Sequence, residues 1–177
     1  MVMTTRELWT VIHGIGFGAI FLVTFAGILA ELYTFRSRLL KGAGIQERKW
    51  RLIAGTSILA LILWITVISG TYLIDPWFHA EPPEGITDLS SYPESFLESQ
   101  PDLAVWHGFA MEWKEHVAWL APILMTVVAY IVWRYRGQLA EQRLLRRGVT
   151  LTFVLACTAA LIAGLIGALV TKVAPVR

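Results

Sequence analysis

Apolar residues dominate four stretches of this chain, Leu8 to Tyr33, Leu52 to Ile74, Val117 to Trp133 and Val149 to Val173. A bilayer core takes about 20 residues of helix, so each stretch reads as a membrane-crossing helix. The spans are placed at about 8–33, 52–74, 115–134 and 149–173. Polar positions gather between spans two and three, over 75–114. Asp75-Pro76 is expected to stop span two, because the residue before a proline resists the helical conformation. From Glu81 to Pro101 the chain holds four of its seven prolines, several serines and many carboxylates, which predicts irregular surface structure. Pro101 and Asp102 suit a helix start, so span three is read as the end of a longer helix. The pattern predicts an all-α protein, a bundle of four transmembrane helices with one acidic loop between helices 2 and 3, built as a single membrane domain over 1–177.

Composition agrees with that reading. Of 177 residues, 56% are hydrophobic and only 16% charged, with mean hydropathy +0.60, well outside the range of a soluble domain. The first span is too long for a signal-peptide core and lacks an A-x-A-like site, so it is expected to be retained. Charge then predicts orientation. Arg36, Arg38, Lys41, Arg48, Lys49 and Arg51 follow span one, and Arg134, Arg136, Arg143, Arg146 and Arg147 follow span three, eleven of fifteen basic residues in all. Basic connections stay in the cytoplasm. The segment from Asp75 to Glu115 has nine of thirteen acidic residues and one lysine. Both termini and the acidic loop are therefore expected outside a bacterial-type inner membrane.

The candidate chemistry lies in four histidines, His13, His79, His107 and His116, all on the predicted outer side. An ionisable ring inside a membrane span is costly unless something binds it, which makes His13 the first functional candidate. Gly14, Gly16 and Gly18 follow it and permit close backbone approach, although Gly14 and Gly18 also read as a helix-packing pair. His107 and His116 are nine residues apart and point to nearly opposite helix faces at about 100° per residue. Met111 shares the His107 face, and Trp113 the His116 face. His13 and His116 come from antiparallel helices near the same membrane boundary, and they are the expected axial ligands of one haem b iron. His107 is the competitor for the second position. His79 reads as a ligand or, more simply, as a solvated loop residue.

In topology and in the placement of His13 and His116, the chain resembles the small four-helix b-type cytochrome subunits of respiratory complexes. The resemblance implies a haem b electron-transfer subunit of a respiratory or photosynthetic complex, linking an outer-side donor or acceptor to quinone or a neighbouring cofactor and working with other membrane subunits. Such families often ligate a second haem near the cytoplasmic face, where this chain has no histidine. The acidic loop would suit a basic periplasmic partner such as a cytochrome c.

The remaining features are blander. Span four carries small residues at helical spacing, Ala156, Ala160, Gly164 and Ala168 beside Ala159, Ala163 and Gly167, as packing stripes do. Cys157, the only cysteine, reads as a core side chain. Glu31 lies eighteen residues, about five turns, beyond His13 and on the same face; it reads as a residue near a quinone or proton path or, more simply, as one that reaches Arg36 and Arg38. Nothing supports hydrolytic or nucleotide chemistry: "HGIGFG" lies within a membrane helix, and neither HExxH nor a Ser/His/Asp set is present. The basic loops are topology signals, so nucleic-acid binding is not expected. Two alternatives stand beside the haem subunit: a cofactor-free structural or assembly subunit of a membrane complex, and a copper or zinc site on His13, His107, His116 and Met111. Neither these readings nor the haem reading makes the chain itself an enzyme; an accessory role in an oxidoreductase complex is expected.

Overall fold

The computed structural model describes residues 3–35 and 44–174, so Arg36, Arg38 and Lys41 of the first basic connection lie outside the described residues. The described residues form helices and no strand. The helices are α1 (Thr5–Thr34), α2 (Gly44–Phe78), α3 (Pro93–Glu98), α4 (Pro101–Tyr135) and α5 (Arg143–Val173). All but α3 are long and apolar enough to cross a membrane, at 30, 35, 35 and 31 residues. Within their most apolar windows only 17% to 44% of residues are buried by the protein. Large side chains such as Val23 and Leu165 stand open at 75% and 61%. So much exposed apolar surface suits lipid, not water.

The helix ends show why the spans exceed the apolar stretches. Thr4 and Glu7 cap α1 reciprocally, each side chain bonding the other's backbone N–H at 3.1 and 2.8 Å. Contrary to expectation, Pro76 does not end α2, which continues to Phe78. A wider π turn over Gly70–Ile74 ends two residues before the proline. That local widening is one way to relieve the clash between a proline ring and the preceding turn. In α4 the regular helix lapses at Ala118 and Trp119 and resumes at Leu120. Pro122 explains the lapse, because it has no N–H to offer the carbonyl four residues earlier. The segment expected to be irregular holds the short helix α3, whose first residue is Pro93.

Contacts within the chain gather into two compact units, and the backbone passes between them inside α1, α2, α4 and α5. One unit consists of Ala19–Trp64 and Leu120–Ala160. Its core includes Ile28, Leu32, Leu59, Met125, Val128, Val132, Phe153 and Cys157. Phe21, Phe25 and Phe153 stack in sequence, with ring centroids 6.1 and 5.6 Å apart. Buried Thr56 donates to the Leu52 and Ile53 carbonyls, so its hydroxyl is satisfied within its own helix. Glu31 accepts from Arg48 and Arg51 of α2, at 3.0 Å each, and Arg48 also bonds Thr34. These partners lie further along the sequence than the pair considered first.

The other unit consists of Met1–Gly18, Ile65–Trp119 and Leu161–Arg177. Its smaller apolar centre is formed by Phe78, Leu97, Met111 and Ala174. Met111 is thus a packing residue at 4% exposure. All four histidines belong to this unit.

Candidate functional site

Three short sequence spacings build the site. At the end of α2, Asp75 and His79 are four residues apart and share a face. On α3, Glu94 and Glu98 repeat that spacing. On α4, His107, Met111 and Glu115 follow one another at intervals of four along one stripe, which the shared face of His107 and Met111 already foreshadowed. Packing of Phe78, Leu97 and Met111 against one another brings the three polar sets together.

His79 is at the centre. Its Nδ1 lies 2.8 Å from Glu94 Oε2, and its Nε2 lies 3.5 Å from both Asp75 Oδ1 and Glu115 Oε1. Burial alone would pull its pKa down, but the hydrogen bonds to Glu94 and Glu115 and the charges of Asp75 and Glu94 outweigh this and hold it above the usual histidine value. Glu94 is shared: its Oε1 faces His107 Nε2 at 3.6 Å. His107 is buried, its ring tilted against Phe78 with centroids 5.5 Å apart, and its Nδ1 has no hydrogen-bond partner. Lys114 acts electrostatically on Asp75 and Glu115, while its side chain runs along α5 at Gly167.

Two sets of donors in this group are close enough to hold a metal ion. Asp75, His79 and Glu115 form one, and Glu94, Glu98 and His107 the other, with the donor atoms of each set within 4.8 Å of one another. Donors bound at about 2.1 Å to a single ion stand roughly 3–3.5 Å apart. The two distances of 3.5 Å from His79 Nε2 fall at the upper end of that spacing. The chain has no match among protein-family models, curated proteins or solved structures. Function must be argued from this chemistry.

The residues expected to bind haem are placed differently. His13 sits in a π turn of α1 (Ile12–Gly16), and its Nδ1 lies 2.9 Å from the Ser69 hydroxyl. Ser69 donates its own proton to the Thr66 carbonyl at 3.1 Å, which leaves its oxygen to accept from His13. The ring packs on Gly70, where a Cβ would stand 3.0 Å from its Cε1, and meets Phe17 edge-on. Ser69 and Gly70 thus supply the partner and the room that a histidine at this depth requires. His116 bonds the Glu112 carbonyl of its own helix at 2.8 Å and is 77% exposed. No contact joins it to His13 among the described residues. Gly14 and Gly18 have nothing within 4 Å of a hypothetical Cβ, so neither is closely packed against the described residues of this chain.

Sequence reasoning identified His107 as a possible ligand, read His79 as a ligand or, more simply, a loop residue, and did not single out Glu94, Glu98, Asp75 or Glu115 as donors. The signal available was the fourfold spacing in three successive segments. What hid it was the separation of those segments, which only folding brings together.

Proposed function

We propose that the chain is a membrane-anchored metal-binding subunit that holds a divalent transition-metal ion on Asp75, His79 and Glu115. The observation that carries this reading is the double engagement of His79. Nδ1 donates to Glu94, so an incoming ion that displaces the Nε2 proton meets a lone pair facing the space shared with two carboxylates. This is the carboxylate–histidine–metal arrangement, in which an outer carboxylate orients the ring and raises its basicity. One imidazole and two carboxylates suit iron, manganese or zinc, and three protein donors leave positions for water or an outside ligand. Iron or manganese would give the chain the redox role that its resemblance to respiratory subunits implies, without a porphyrin. The charge pattern supports placing this site on the non-cytoplasmic side, in the acidic region. A haem b on His13 and His116 draws no comparable support, since no contact brings the two rings together among the described residues, although each is held through Nδ1 with its Nε2 left over.

The test is metal analysis of the detergent-purified protein after EDTA stripping and titration with Mn²⁺, Fe²⁺ and Zn²⁺. The expected result is stoichiometric binding that Asp75→Asn and His79→Ala each weaken strongly. No binding, or binding indifferent to both substitutions, overturns the reading. A pyridine haemochrome spectrum of the unstripped protein is expected to be blank; a b-type signal lost in His13→Ala would restore the haem reading instead.

A further inference from the structure

We infer that the same region holds a second metal position, formed by Glu94, Glu98 and His107, and that Glu94 links it to the first. This inference rests on the metal-binding reading of Asp75, His79 and Glu115. Two observations of different kind carry it. The first is donor geometry: one ligand atom from each of the three residues falls within 4.8 Å of the other two. The second is the state of His107. Its ring is 8% exposed, its Nδ1 is buried without a partner, and its Nε2 faces Glu94 at 3.6 Å, just beyond hydrogen-bond reach. The orphaned Nδ1 points away from Glu94, but the buried ring makes no hydrogen bond within 3.5 Å among the described residues, and its Nε2 faces Glu94 across a gap that an ion between them would close.

The arrangement gives Glu94 two tasks. Its Oε2 accepts from the His79 ring that serves the first ion, and its Oε1 faces His107, which serves the second. Glu98 is exposed, so water completes the second ion's coordination from the open side. Four carboxylates and two imidazoles are also the donor count of the two-metal carboxylate sites built inside helical bundles, although the helix arrangement here is different. That donor set selects hard or borderline divalent cations, with manganese and iron(II) best suited. Lys114 acts on Asp75 and Glu115, the first set, and offsets part of its negative charge.

Stoichiometry decides the matter. The whole protein, stripped with EDTA and titrated with Mn²⁺ followed by electron paramagnetic resonance, is expected to bind two ions per chain. Glu98→Gln and His107→Ala should each remove one ion and leave the other, and Asp75→Asn should do the converse. Glu98 is on the surface, so its substitution reads the site even if His107→Ala fails to fold. One ion per chain, lost in Asp75→Asn and indifferent to Glu98→Gln, overturns this inference and leaves the proposed function standing. One ion lost only through Glu98→Gln overturns the first site and upholds the second. No bound ion overturns both.

Discussion

Replacing Glu94 with glutamine separates the two tasks that the structure gives this side chain. Glutamine keeps the shape and can still accept from His79 Nδ1, but the charge is lost. The present contact is short, 2.8 Å, and charge-assisted. Hydrogen bonds to charged groups contribute about 1.5–3 kcal/mol, against about 0.5–1.5 kcal/mol for neutral ones. His79 and Glu94 side chains are 36% and 27% exposed, so solvent screens part of the difference and about 1 kcal/mol remains. The first ion should therefore bind roughly fivefold more weakly. The second ion loses one of two anionic ligands outright, and its affinity should fall by at least about 100-fold, beyond the effect usual for an outer-shell change. In a Mn²⁺ titration of stripped protein, Glu94→Gln should show one retained, modestly weakened phase and one missing phase. Equal weakening of both phases would refute the division of roles, and an unchanged isotherm would remove Glu94 from the site altogether.

Three further outcomes follow from the same contacts. Because the folded protein holds the His79 pKa above its ordinary value of 6.5, the ring's contribution to metal-free stability is fully present below that value and is lost as pH rises through the folded one. Thermal unfolding of the stripped protein at about pH 6 and pH 8 should show this, the difference shrinking in His79→Gln; with metal present the sense reverses, since protons compete with the ion for the ring. Gly70→Ala places a Cβ 3.0 Å from His13 Cε1 and should destabilise by about 1 kcal/mol, a cost that His13→Ala largely removes; a double-mutant cycle with no coupling would refute the contact. In cells, an impermeant thiol reagent should label Glu84→Cys from outside and Arg143→Cys only after permeabilisation, with buried Cys157 silent; the opposite pattern inverts the topology.

Local pattern alone determined the four long helices, because the length and apolarity needed to cross a bilayer are properties of contiguous residues. The faces within a helix were equally legible: His107 and Met111 do share a stripe. Helix ends were less so, since Pro76 is accommodated by a π turn five residues wide that no propensity announces. The polar partnerships belonged to tertiary structure. Glu31 pairs with Arg48 and Arg51, and His13 with Ser69, across 17, 20 and 56 residues of sequence. His79 read as a loop residue because its carboxylate partners come from three helices, and only the packing of Phe78, Leu97 and Met111 sets them around it. A hydrophobic stretch reports that a helix meets lipid, but the same stretch is silent about which neighbour its few polar side chains face. That choice is made by side-chain packing between segments distant in sequence, and here it turned scattered acids and histidines into a single cluster.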